Sequence, residues 1–480
     1  MRLNEIAVSK VAPLLFARVT NMRSLRILTA VFLSVGFVAG YGSAASAAPA
    51  KQVQDYIREP LPPGIQVLDT ELEGPVFTNA QGHTLYRWPP NNMRNGDAGE
   101  AAGKPACFDT HYKETAGFTS PWPAGNLLPD ADTRPTCIQH WPIVVAPEGA
   151  QPVGNFTIIS RSDGIKQWAY KGYALYTSHL DKAPGETYGA SFRRGRDEVS
   201  GGAVREPVGP APAVPAQFKV ATMAFGRMLT TPKGQSIYAY NKDKPNKSNC
   251  NDACAQEWTP VLAPEFAVAQ SEWSVVTRRG GEKQWAYRGQ PLYTHVLDTK
   301  ERSYEGSDVA GWSNVYMQMS PNAPKGFGVM DTYGGMVRTE THGKAIYFYQ
   351  CVEDTPDTLY CDTPDTPQVY RWAMCGGGDV DRCIKSFPYV IAEKGAKSDS
   401  IAWSIRDIDP KSGRYVAEGT PGSLHVWAFR GRPIYTFAGD HQPGDIEADS
   451  WGQDHGQRNG FTAFWVRDDF AALDSGRYNN

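Results

Sequence analysis

The 480 residues contain no His-Glu-x-x-His, no Gly-x-Ser-x-Gly and no phosphate-cradling glycine loop. The short signatures of zinc hydrolases, serine hydrolases and nucleotide-binding enzymes are therefore missing. There is no Cys-x-x-Cys and no Cys-x-x-Cys-His, which leaves a thioredoxin-like centre and covalent c-type haem unsupported. No basic tract stands out and the net charge is −3, so nucleic acid and anionic membrane are poor partners. A paired-carboxylate hydrolase leaves no such signature, because its carboxyls meet only in three dimensions. Nothing in the sequence singles out such a pair. With no catalytic motif recognised the sequence leans away from an enzyme without deciding it, and no cofactor is predicted beyond the copper alternative below.

One apolar run is present, and it is short. Ile27 to Ala39 follows a basic flank at Arg23 and Arg26, and Ala45-Ser46-Ala47 follows it. That order is the layout of a cleavable signal peptide, residues 1–47, rather than of a stable membrane span. Removing it takes five basic residues and one acid, leaving a formal charge of −7. A periplasmic or secreted location follows. All eight cysteines lie beyond residue 47, and an even count in an exported chain reads as disulfides.

What the chain has in quantity is turn formers and aromatics: 47 Gly, 36 Pro, 13 Trp and 23 Tyr. That supply suits many short strands joined by tight turns. Internal repetition is the strongest signal. Ten residues recur without a gap at Trp168–Thr177, Trp285–Thr294 and Trp427–Thr436. Each holds two strand-like runs about a Lys-Gly or Arg-Gly turn, at 171–172, 288–289 and 430–431. Glycine at the second turn position supplies the positive φ of a two-residue hairpin. The long basic residue before it is expected to be solvated.

A shorter pattern, Gly-x-x-Leu/Ile-Tyr, occurs six times, ending at Tyr86, Tyr176, Tyr238, Tyr293, Tyr347 and Tyr435. Each module therefore holds two half-modules. A Cys stands four residues before Trp141, Trp258 and Phe387, and Trp141–Tyr176 and Trp258–Tyr293 share one spacing. The longer third copy carries an insertion around 407–422. Arg161 and Arg278 each precede their hairpin Trp by the same interval.

The sequence predicts an all-β protein of three tandem modules, each with about eight short antiparallel strands in two four-stranded halves. A single six-bladed propeller is the alternative. The expected divisions are a lead-in at 48–63, module 1 at 64–200 with a long loop, and a stiff proline-rich linker at 201–216. Module 2 follows at 217–318, module 3 at 319–466 with acidic and turn insertions, and a tail at 467–480.

The Gly-x-x-Leu-Tyr strand, Cys250-x-x-x-Cys254-Ala-x-x-Trp258-x-Pro260 and the Gln284–Tyr293 hairpin resemble the bacterial secreted repeat of unknown function, in three divergent copies. That family includes predicted lipoproteins marked by Tyr-x-aromatic-x-x-Asp. Tyr238–Asp243 and Tyr435–Asp440 fit the motif fully. Tyr176–Asp181 and Tyr293–Asp298 keep the Asp but carry Ser178 and His295 in the aromatic place. Tyr86 ends on Asn91 and Tyr347 on Val352. The resemblance implies a secreted β module and brings no catalytic residues.

The expected disulfides are Cys107–Cys137, Cys250–Cys254, Cys375–Cys383 and Cys351–Cys361, though connectivity is not fixed by sequence. Each would staple a loop to the following strand, at about 2–4 kcal/mol. The recurring Asp181, Asp243, Asp298 and Asp440 follow strand ends, where Asp accepts backbone hydrogen bonds in a turn. Asp407-x-Asp409 before Gly413 has a faint calcium-loop look, spoiled by Lys411 and the late glycine. The polar stretch Asp440-His441 to Asp454-His455 is a second weak cation candidate. Met317, Met319, Met330 and Met336 cluster along the chain, and thioethers suit Cu(I). They are weak copper candidates, which His179 and His295 would join only if the fold brought them near. Three functions follow: a binding scaffold for a protein or glycan partner in the cell envelope, a periplasmic redox or copper accessory, and a glycan-active hydrolase.

Overall fold

The computed structural model describes residues 55–88, 91–93, 96–109, 136–190, 206–223, 226–300, 303, 305–307, 309–319, 323–332, 335–349, 368–449 and 461–465. The segment expected to be a signal peptide, Cys351, Cys361, residues 450–460 and the tail lie outside them. The described chain is built from short antiparallel strands, as expected, in many small sheets with no closed barrel.

Each module opens with a tight hairpin: Gln66–Thr70 with Gly74–Thr78, Lys219–Met223 with Gly226–Thr230, and Gly328–Thr332 with Gly335–Thr339. The repeated ten-residue block forms the second hairpin. At its turn both central residues have positive φ, 49° at Arg288 and 76° at Gly289. That is the twist a two-residue connection needs between right-twisted strands, and glycine meets it without a Cβ penalty. In Lys283–Tyr287, Gln284, Trp285, Ala286 and Tyr287 are all buried, so the strand is covered on both faces. Trp285 and Tyr287 join one core cluster with Phe218, Leu229 and Leu292. Each such large side chain contributes roughly 1.5–3 kcal/mol by leaving water.

The halves of a module do not stay apart. In the second module the strand order is Trp258–Pro260, Tyr293–His295, Tyr238–Tyr240, Trp312–Asn314. Strands of both halves alternate in one sheet. In the third module's six-stranded sheet the first half's Tyr347–Tyr349 likewise lies between two strands from later in the module, Arg432–Tyr435 and Phe461–Ala463. A propeller blade is a sheet of consecutive strands, so the propeller alternative is overturned. Trp312–Asn314, which follows the second half's hairpin in the chain, pairs with Tyr238–Tyr240 of the first half.

The closing strand follows one rule three times. Leu229 N donates to Val315 O at 2.8 Å and Val315 N to Ile237 O at 2.9 Å. Phe77, Val208 and Leu85 repeat this in module 1, as do Arg338, Phe464 and Ile346 in module 3. Val208 lies in the segment expected to be a linker. Glu206–Pro207 pairs with Tyr86–Arg87, so the linker's start is the first module's closing strand. Its continuation bonds to the lead-in, with Ile57 N to Ala211 O at 2.8 Å and Ala213 N to Asp55 O at 2.6 Å.

Residues Ala50–Asn480 form one compact unit, so the modules are clasped rather than strung. The hairpin-turn arginines, expected to be solvated, are two of the clasps. Arg288 reaches buried Asp55 of the lead-in at 3.0 Å. Arg430 of module 3 pairs with Glu73 of module 1 at 2.8 Å. Tyr188 of module 1 donates its hydroxyl to Ile401 O at 2.7 Å.

Short helical turns, absent from the sequence reading, carry the cysteine before each aromatic landmark: Cys137–His140, Ala253–Glu257 and Val380–Ser386. The insertion around 407–422 adds the strand Tyr415–Val416 to the edge of the six-stranded sheet.

Candidate functional site

The six repeated tyrosines meet in pairs. Tyr86 lies opposite Tyr176, Tyr238 opposite Tyr293, and Tyr347 opposite Tyr435. Each pair sits where the two halves of a module face each other. Alternation sends the Tyr to one face of its strand, and the motif Asp waits at the end of the opposing strand. Tyr238 Oη donates to Asp298 Oδ2 at 2.7 Å, and Tyr293 Oη to Asp243 Oδ2 at 2.7 Å. The halves thus exchange hydrogen bonds. Tyr86–Asp181, at 2.6 Å, and Tyr347–Asp440, at 2.8 Å, repeat one arm in the other modules.

Each Asp also gathers its own loop. Asp181 Oδ1 accepts from Tyr188 N, Asp298 Oδ1 from Glu305 N, Asp440 Oδ1 from Glu447 N and Asp243 Oδ1 from Asn249 N. Burial pushes the carboxyls up, Asp181 to about 7 and Asp440 to about 6, and raises Asp243 and Asp298. Raised carboxyls often mark catalytic acids. Here both oxygens of each are engaged inside the protein, so the turn expected from sequence extends to a buried Tyr–Asp tie between halves.

The two broken motifs are repaired by the insertions. Tyr176 lacks an opposing Asp, since the place falls on Asn91, and bonds to Glu100 of the first module's loop instead. Glu100 Oε1 also accepts from Ala106 N at 2.8 Å. Tyr435 lacks one because the place falls on Val352, and the fully buried Arg371 donates to it. Arg371 also donates to Tyr389 Oη at 2.6 Å and lies 4.1 Å over the Trp372 ring.

The evenly spaced Arg161 and Arg278 are buried and tie the sheet to the cysteine loop. Arg278 donates to Gln284 Oε1 and Cys250 O, both at 2.7 Å. Arg161 donates to Gln167 Oε1 and Cys107 O. Disulfides join Cys107–Cys137, Cys250–Cys254 and Cys375–Cys383.

The methionine cluster does not assemble. Met317 is buried in the second module's core, at a register shift in its strand pair. Met319 is exposed, and Met330 packs against the third module's core. The side chain of Met336 lies outside what is described. His295 is buried against Trp258 at a ring distance of 4.3 Å, and Trp258 belongs to a different core cluster from Met317 and Met330. Asp407 is occupied by His425, Gly419 N and Ser423, and Asp409 by Lys411 N and Ser412. The calcium-loop look therefore dissolves into turn hydrogen bonds. Among the described residues no group of three or more His, Cys, Asp or Glu gathers to hold a metal.

Among the described residues a cleft of about 660 Å³ lies in the first module. Pro63–Ile65, the Asn79–His83 turn, the Pro142–Val145 strand, Trp168 and Thr177–Lys182 line it. Among the described residues lining it Asp181 is the one carboxylate, which gives a two-carboxyl hydrolase no partner there. Beside it, His140 Nδ1 and His179 Nδ1 lie 3.2 Å apart, with rings perpendicular. His179 lines the cleft and His140 is buried next to it. The sequence reading missed His140; its signal was its place directly before Trp141, on the cysteine-bearing turn.

Among the described residues the strand along the cleft is an edge. Ala146 N donates to Lys166 O and Trp168 N to Val144 O, which turns Val145's own amide outward. Val145 is 55% exposed, and its counterparts Leu262 and Ile391 are 50% and 53% exposed. Prolines 142 and 147 bracket this edge, which keeps it short and limits edge-to-edge pairing.

Three segments of the chain match a family described as a secreted repeat of unknown function: residues 157–193, 219–262 and 274–312. The first is the second half of module 1, and the other two are the halves of module 2, so the family's repeat corresponds to the half-module. No curated protein and no solved structure matches the chain.

Proposed function

We propose that this chain, with its three segments of a secreted repeat, is an exported, non-enzymatic binding scaffold that takes a protein or glycan partner in the cell envelope. Its signal peptide would be removed after Ala47. The observation that carries this reading is the first-module cleft with its exposed edge at Val145. An outward amide beside an exposed aliphatic side chain offers an extended peptide both a backbone partner and an apolar contact. That favours a protein segment over a sugar. The recurring Tyr–Asp chemistry speaks for a scaffold, since those groups serve one another. The loop insertions of modules 1 and 3 complete motif-broken halves, which also suits a framework selected for shape.

The test places a photo-crosslinking residue at Val145 and exposes the mature protein to envelope and secreted fractions of its native source. A discrete protein adduct, lost when Val145→Pro removes the edge amide, is the expected result. Adducts of the same pattern in Val145→Pro, or none with either protein or glycan, would defeat the reading.

A further inference from the structure

We propose that His140 and His179 form a binding site for a divalent transition-metal ion, Cu²⁺ before Zn²⁺, at the wall of the first-module cleft. The inference stands on the His pair itself and not on the cleft having a partner.

The pair is assembled by the fold. His140 ends the helical turn Cys137–His140, which the Cys107–Cys137 bridge anchors. His179 follows the Tyr176 strand. The backbone locks the two together, because His179 N donates to His140 O at 2.9 Å. The two Nδ1 atoms are then held 3.2 Å apart. Two imidazole nitrogens each about 2.0–2.1 Å from one ion, at near-tetrahedral angles, stand roughly 3.3 Å apart. The spacing is thus that of two ligands on one metal. The carbonyl oxygen of His140 also lies 3.1 Å from His179 Nδ1, an oxygen close to one of the two nitrogens.

Without metal, one ring must donate a proton across the contact, since two neutral acceptor nitrogens would repel at that distance. On metal binding the donating ring changes tautomer: its Nδ1–H bond breaks, an Nε2–H bond forms, two nitrogen–metal bonds form, and no net proton is released. No redox change is involved. Imidazole favours Cu²⁺ and Zn²⁺, and Cu²⁺ leads in the ordering of divalent ions. Two side-chain ligands leave positions open to water or to a donor from whatever fills the cleft. The other modules lack the pair. The positions of His140 and His179 are Glu257 and Val296 in module 2, and Ser386 and Ala438 in module 3. The site therefore belongs to the module that also carries the cleft.

The experiment is calorimetric titration of the chelator-stripped mature protein with Cu²⁺ alone, then Zn²⁺ alone, in two buffers of different ionisation enthalpy. Electron paramagnetic resonance of the Cu²⁺ form accompanies it. Expected are a single equivalent bound, a binding heat that is the same in both buffers because no net proton is released, and nitrogen hyperfine structure from imidazole. His179→Ala should abolish that equivalent, and His140→Gln should match it. Met317→Leu with Met319→Leu should leave it unchanged. Should buried His140→Gln fail to fold, the half-buried His179→Ala still decides. No stoichiometric uptake by the wild type, or uptake unchanged in His179→Ala, overturns the proposal.

Discussion

Replacing Tyr238 by Phe deletes one oxygen from the second module's core. That hydroxyl donates to Asp298 Oδ2 at 2.7 Å, and Asp298 is almost wholly buried. Water cannot take the vacated place, so the carboxylate loses a donor while keeping its desolvation. A hydrogen bond to a charged group contributes about 1.5–3 kcal/mol, and the loss should fall near 2 kcal/mol. Glu305 N and Ser303 Oγ still hold the other oxygen, which caps the cost. The mirror change, Tyr293→Phe, should cost less, about 1 kcal/mol, because Asp243 is only half-buried and solvent can replace the phenol. Urea unfolding of the mature chain, followed by tryptophan fluorescence, measures both. A double-mutant cycle of Tyr238→Phe with Asp298→Ala should show clear non-additivity, and the penalty of Tyr238→Phe should shrink at acid pH, where Asp298 is protonated. Equal costs for the two tyrosines, or an additive cycle, would refute the claim that the halves are tied by these exchanged bonds.

Asp181 and Asp440 have folded-state pKa values of about 7 and 6, above the unfolded value of about 3.9. Their contribution to stability is therefore fully present below about pH 4 and is lost as pH rises through 6 and 7. The melting temperature should fall between pH 5 and pH 8, and Asp181→Asn should flatten that slope; an unchanged slope would count against the assignment. Opening Cys107–Cys137, which spans 30 residues, should cost about 4 kcal/mol, against about 2 for Cys250–Cys254, which spans 4; paired Cys→Ser variants in the same urea assay compare them. Arg288→Ala should loosen the lead-in by removing the cation from Asp55, which Tyr287 and Ser271 still hold, raising proteolysis near Ile57 while the second module's own fluorescence transition persists. Trp258 and Trp312 stack with centroids 3.7 Å apart and planes 4° from parallel, so Trp312→Phe should erase an exciton couplet in the circular dichroism spectrum.

Much of this architecture is local and was open to sequence reasoning. Glycine at 172, 289 and 431 fixes the hairpin turns, and alternation about each repeated Tyr places Leu or Ile on the opposite face. Cysteine spacing before each aromatic landmark foretold three of the bridges that the structure contains. These features depend on residues a few positions apart, where backbone sterics and side-chain period leave few choices.

What lay beyond the sequence was decided by closure. The repeats announce six similar strands but not which of them pair, because all six offer the same edge. Return of Val208, Val315 and Phe464 to the first half of each module settled that choice and turned a supposed linker into a strand. Only then do Tyr238 and Asp298, far apart in the chain, become one hydrogen bond, and Arg371 from an insertion become the substitute for a missing Asp. The methionines, neighbours in sequence, part into separate cores, while His140 and His179, separated by a hairpin, come into contact. Sequence fixes what each short segment can form; burial of apolar faces and satisfaction of buried polar groups, both long-range, choose the partner.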